Sequence, residues 1–322
     1  MVVMVTQLFN RARVHFYFDR AMVDREKAKL LAKGGIQLAI DQLSVPPKEK
    51  EEKEKGVEEK KPEDPSISFV KKNLPVFNMW QEFPLKDDID GIEGIVKFCI
   101  MSEDGKIDIN QLFDFSAKKF LNEGAASNDS KKALSTLFAS AKRFLNDKNL
   151  FEPFEKFLKQ RQYKLQDITE LLAIEEFQAV FKDKVFYEPS VPTKKEQQPV
   201  YLTDIFTIWS HEATMNPWLL SPSISTIYGF KKVSTIPEDL LKNIKSVSGD
   251  IKTIWEQSLE KLYAKEFKAI PTDLAMLLAN KFHAKTFSVL SYGTVGNITQ
   301  KVFAILEAQD PVTFMIKKLY WL

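Results

Sequence analysis

From about Phe9 to Leu43 charged and apolar residues interleave without a proline, and the pattern predicts one long helix over that span. Ala28, Ala32, Gly35 and Ala39 recur at spacings of four, three and four, which is one helical face, with Ile36, Ile40 and Leu43 beside it. Gly34 and Gly35 stand side by side within this helix, and each costs it about 1 kcal/mol relative to alanine. A stripe of very small side chains lets another backbone approach closely, and that contact offsets the cost. The predicted helix-packing face is therefore Ala28, Ala32, Gly34, Gly35, Ile36, Ala39, Ile40 and Leu43.

Pro46-Pro47 stops the helix. From Lys48 to Pro65 charges alternate with Val57 as the sole apolar residue, which predicts a solvated linker. At Ile95 the period changes. IVKFCIM and KIDIN flank Ser102-Glu103-Asp104-Gly105, and Asp-Gly between strand-like runs predicts a hairpin. Helical patterns follow over 131–146, 151–163, 166–181 and 250–267, broken by Pro189, Pro192 and Pro199. FSVLSYGTVG, ITQKVFAILEA and FMIKKLYWL then read as strands, with Gly293 to Gly296 as a turn between the first two. Strands on both sides of a helical block predict one sheet interrupted by an insertion. The expected organisation is a helix over 1–45, a linker over 46–66, a first part of the sheet over 67–110, a mainly helical insertion over 111–280 and returning strands over 281–322.

Composition narrows the function classes. The 46 basic and 44 acidic residues leave a net charge of +2, so no global field recruits nucleic acid or anionic lipid. Cys99 is the sole cysteine and lies in an apolar run, as a packed core thiol does. No stretch of about 18 apolar residues is present, although MVVMVTQLF reads as the end of a hydrophobic helix. His211-Glu212 begins like a zinc-protease helix, but Met215 stands where the second histidine belongs. Asp87, Asp88, Asp90 and Glu93 lack the twelve-residue calcium-loop pattern and read as a solvated turn. No nucleophile, base and orienting group converge on any motif, so an enzyme is not expected.

Five segments together resemble one family. RVHFYFDRAMVDREKAKLLAKGGIQLAIDQL is similar to the N-terminal helix of the K-type minor pseudopilins of type II secretion systems (general secretion pathway protein K). SEDGKIDINQL resembles that family's acidic turn and following strand. YLTDIFTIWS with MNPWLLSPSISTIYGF resembles its later strand and the start of a helical hairpin. FSVLSYGTVGNITQKVFAILEA and the closing KKLYW resemble its terminal antiparallel strands. The matches run in order over nearly the whole chain.

The resemblance implies a pilin-like α+β fold: a long N-terminal helix packed on an antiparallel sheet, with a large mainly helical domain inserted between sheet strands. It implies a non-enzymatic subunit at the tip of a short pseudopilus that supports protein export. I- and J-type minor pseudopilins would be its partners, with inner-membrane anchoring in the full-length form and a periplasmic domain. The family's basic leader, prepilin-peptidase site and full hydrophobic segment do not stand in this sequence. Its Asp-Trp-rich calcium loop has no counterpart in KLQDITELLAIEEFQAVFKDK, so no metal ligand or cofactor is carried over. A minor pilin of a type IV pilus needs the same helix and sheet and stays open as an alternative. A soluble nucleic-acid-binding protein built on the 216–244 segment is the alternative from another class; Gly229 and Lys231-Lys232 are all that favour it.

Overall fold

The computed structural model describes residues 2–44, 69, 71–125, 129–187, 199–231, 240, 251–279, 284–310 and 312–322. The expected linker over 46–66 lies outside these residues, as do Pro189, Pro192 and His283. Contacts divide the chain into two compact units: residues 1–47, 79–100 and 288–322 in one, 48–78 and 101–287 in the other.

The first unit contains the helix α1, Val2–Leu43, which starts earlier than the interleaved pattern alone predicts. Its end is held by Ser44, whose hydroxyl donates to the carbonyls of Ile40 (2.9 Å) and Val312 (2.8 Å). A five-stranded sheet has the order β1-β2-β7-β8-β9. Its strands are β1, Trp80–Leu85; β2, Gly94–Ser102; β7, Thr286–Val295; β8, Ile298–Ala308; and β9, Phe314–Trp321. β1 pairs antiparallel with β2 from Trp80↔Cys99 to Leu85↔Gly94. β8 pairs antiparallel with β9, with a register shift between Ile305 and Leu306. The strands before and after the helical block thus meet at β2 and β7, and the α+β fold with an insertion is the observed one. The β-rich runs at the C-terminal end matched their strands because aromatic and β-branched residues there alternate between two faces.

Between β2 and β7 the second unit is built on phenylalanine. Its helices include α2, Ser130–Ala141; α3, Phe151–Gln160; α4, Glu175–Phe181; α5, Pro222–Tyr228; and α6, Ile251–Tyr263. Phe138 lies 5.4 Å from Phe154 and 5.9 Å from Phe206, ring centre to ring centre, and Phe154 is 5.9 Å from Phe177. Such offset and tilted rings each add about 1 kcal/mol beyond the area they bury. The single helix expected over 166–181 is instead a 3-10 segment, Ile168–Ala173, followed by α4. Asp167 caps the 3-10 segment in a reciprocal box with Glu170, and Ile174 breaks the run in extended backbone.

The predicted hairpin at 102–105 does not form. β2 ends at Ser102, Glu103–Gly105 make a 3-10 turn, and β3, Ile107–Asp108, pairs parallel with β6, Phe206–Thr207; between them β4, Phe113–Asp114, pairs antiparallel with β5, Lys119–Phe120. The reason is burial: Glu103, Asp104, Gly105 and Lys106 are all buried, so the turn is core and not a solvated loop. A Cβ on Gly105 would sit 1.8 Å from the carbonyl oxygen of Leu219, and the backbone passes there because the residue is glycine.

Candidate assembly face

Two stretches of α1, residues 13–23 and 28–43, have different surroundings. Over the second stretch Ala28, Ala32, Ile36, Ala39 and Leu43 are buried, and Ile40 is half-buried. Gly35 is buried too, and a Cβ there would lie 2.1 Å from Ser291 Oγ and 2.9 Å from a methyl of Val96. The closest approach is made by a residue of the sheet. Gly293, expected in a turn, lies inside β7, and a Cβ on it would meet Ala28 O at 2.1 Å and Ala32 N at 2.4 Å. Helix backbone and strand backbone touch there, which no side chain permits. Gly34 does not belong to this face: it is exposed, and a Cβ on it would meet nothing within 4 Å. Adjacent helical residues are turned by about 100°, so two neighbouring glycines cannot both face one sheet.

N-terminal to this packed stretch the helix has a bare segment. Residues 13–23 are exposed on every side, with Val14, Phe16, Tyr17, Phe18, Met22 and Val23 among them. At about 100° per residue, Val14, Tyr17, Phe18 and Ala21 continue the face that Ala28, Ala32, Gly35 and Ala39 lay on the sheet. Phe18 keeps 62% of its surface exposed. An apolar face that is buried from Ala28 to Leu43 and open from Val14 to Ala21 is suited to a partner that prolongs the sheet's role. Among the described residues no helix is long and apolar enough to cross a membrane.

The second unit holds the buried charges found among the described residues, gathered by the SEDGKIDIN stretch. Glu103 accepts from Lys106 Nζ and from Thr207 Oγ1, and all three residues are buried. Asp104 O accepts from Asn216 N at 2.6 Å, and Asp104 Oδ2 accepts from Lys285 N at 3.1 Å. Asp108 Oδ2 accepts from His211 N at 2.9 Å and Ser210 Oγ at 3.3 Å. The Asn110 side chain accepts from Leu165 N (2.9 Å) and donates to Leu165 O (2.8 Å), as a strand backbone would. This polar knot ties segments about a hundred residues apart. Its charged atoms are consumed by protein partners, and among the described residues no three His, Cys, Asp or Glu side chains group as metal ligands. The exposed Asp87, Asp88 and Asp90 form one helical turn, and Asp90 Oδ2 accepts from Lys86 N at 2.8 Å. Cys99 is buried within β2.

Asp204 is buried beside this knot. Its Oδ2 accepts from Ser223 N at 2.7 Å, while Oδ1 has no hydrogen-bond partner among the described residues. Burial raises its carboxyl above the usual range, against the opposing pull of Lys106 and Ser223. The folded chain thus holds this proton more tightly than the unfolded chain does. Its stabilising contribution is complete below the ordinary carboxylate pKa, about 3.9, and is lost as pH rises through the elevated value. Asp204→Asn removes that loss, so its melting temperature should gain on wild type from about pH 4 upward and level off once the pH passes the raised value. Parallel melting curves across that range check this.

Against known proteins, no family model and no curated relative match the sequence. Among solved structures, the chain is similar to one in the crystal structure of the GspK-GspI-GspJ complex from the enterotoxigenic Escherichia coli type 2 secretion system. The TM-score is 0.43 at 13% identity, over 97% of this chain and 99% of that one.

Proposed function

We propose that the chain is a minor pseudopilin of the K type, a non-enzymatic assembly subunit that supports protein export by a type II secretion system. The observation that carries this is the divided helix: α1 rests on an antiparallel sheet through Gly35 and Gly293, and offers the same face bare over Val14, Tyr17 and Phe18. The sequence resemblance over α1, the SEDGKIDIN knot and the terminal strands supports it, as does a sheet interrupted by a helical insertion. I- and J-type minor pseudopilins would cover the bare face, and the chain would act in the periplasm, held to the inner membrane in its full-length form. The energy is apolar burial, about 25 cal/mol per Å² removed from water. A type IV minor pilin would use the same helix and sheet, and no particular residue favours that reading.

The test is complementation. Val14→Asp/Phe18→Asp alters only exposed side chains, so the purified chain should melt like wild type. Secretion in cells lacking the native gene should fall to the level of the empty vector. Full secretion by the double variant would refute the assembly role of this face.

A further inference from the structure

Glu103, Lys106 and Asp204 lie in one cluster of the second unit, with 2%, 1% and 1% of their surfaces exposed. Two carboxylates and one ammonium do not balance. With all three ionised the cluster would bury a net negative charge, and a buried site relieves such a charge by taking up a proton.

The hydrogen bonds show which carboxyl takes it. Glu103 holds the Lys106 ammonium through one oxygen and the Thr207 hydroxyl through the other. Asp204 has Ser223 N on Oδ2 and, among the described residues, no partner on Oδ1. A buried hydroxyl without an acceptor costs far less than a buried carboxylate oxygen without a donor. Asp204 is therefore the neutral member. Among the described residues the charges acting on it are Lys106, which favours its ionisation, and Glu103, which opposes it. The other elements packed here add none: α5 and its cap bring Ser221 and Ser223, and Glu170 of the 3-10 segment Ile168–Ala173 is bound to Arg161. Asp104 and Asp108 are engaged by Lys285 N and His211 N.

Asp204 also closes a joint. Ser221 Oγ donates to its carbonyl and Ser223 N to its carboxyl, while Asn216 N donates to Asp104 O (2.6 Å) and Ser221 N to Gly105 O (3.3 Å). We propose that this joint is a proton-operated latch: it is closed with Asp204 neutral, and ionisation of Asp204 frees the 216–223 segment from the 103–105 turn. The closed state holds the proton more tightly than the open one, so the latch is strongest below the ordinary carboxylate range and weakens as pH rises. It lies within the second unit and stands apart from the assembly reading.

Hydrogen exchange of the full chain, read amide by amide by NMR from about pH 4 to pH 9, tests it. After correction for intrinsic exchange, protection at Asn216, Ser221 and Ser223 should fall by up to about tenfold per pH unit and level off once Asp204 is ionised in the closed state. Amides within α3 should lose less. Asp204→Asn should keep its protection constant across the range. Glu103→Gln leaves Lys106 to Asp204 alone, so its fall should end at a lower pH and be smaller in total. In wild type, needing no variant, the Asp204 carboxyl carbon signal should titrate at the pH where protection levels off. A carboxyl that titrates near the ordinary value of about 3.9 overturns the proposal. So does an equal fall throughout α3, a fall that persists in Asp204→Asn, or a levelling pH that Glu103→Gln leaves in place.

Discussion

Gly293→Ala should cost about 3 kcal/mol, at the upper end of what overpacking does, because the new methyl has no soft neighbour to push. Its Cβ would lie 2.1 Å from Ala28 O, 2.4 Å from Ala32 N and 2.8 Å from Leu31 Cβ. Two of these are backbone atoms of a regular helix, so relief requires α1 to lift from β7. Gly35→Ala is the milder case: its nearest neighbour is Ser291 Oγ at 2.1 Å, and a hydroxyl can turn away. A cost of about 1–2 kcal/mol is expected there. Gly34→Ala should instead stabilise the isolated chain, by up to about 1 kcal/mol, since it gains helix propensity and touches nothing. Urea unfolding of the three variants should rank them in that order. Equal costs at the two neighbouring glycines would contradict the division of α1 into a sheet face and an outer face.

Lys106→Met should cost about 3–5 kcal/mol, the range for stranding one member of a buried ion pair. Glu103 would keep the hydroxyl of Thr207 as a donor but lose its cation, in a site closed to solvent. The loss comes mostly from the uncompensated carboxylate. Pairing the change with Glu103→Gln should therefore recover much of it, and a double-mutant cycle would read the recovery as a large coupling. Additive costs would mean that Glu103 finds water or another donor on losing Lys106. The knot joins Glu103–Asp108 to Asp204–Ser223, so the single variant should also loosen the β3–β6 pairing.

These two variants probe places where the sequence was read differently from the structure. Ser102-Glu103-Asp104-Gly105 has the letters of a solvated turn, and hydropathy cannot distinguish a charge in water from a charge held by Lys106 and Thr207. Two-residue strands paired across about a hundred residues leave no periodicity to detect. β1 went unnoticed because Glu82 and Pro84 interrupt its pattern; an edge strand tolerates both. Gly293 resembled a turn because Gly296 follows it closely, and its purpose exists only once α1 lies against it. The helix itself and β7, β8 and β9 were legible, since their periods of 3.6 and 2 are local. Of the predicted packing face, Ala28, Ala32, Gly35, Ile36, Ala39 and Leu43 are buried in place, Ile40 partly, and Gly34 points away. A helical wheel of 34 and 35 alone would have separated the two glycines.

The assembly role is tested most directly by thiol cross-linking at the bare face in cells that carry a working secretion system. Phe18→Cys adds one exposed thiol, and the native Cys99 is buried within β2 and serves as the internal silent control. A short bismaleimide added to these cells should trap the chain in an adduct with an I- or J-type minor pseudopilin, and the wild-type chain should give none. An introduced thiol that is fully labelled by a small maleimide, with no adduct to any other subunit, would contradict the account.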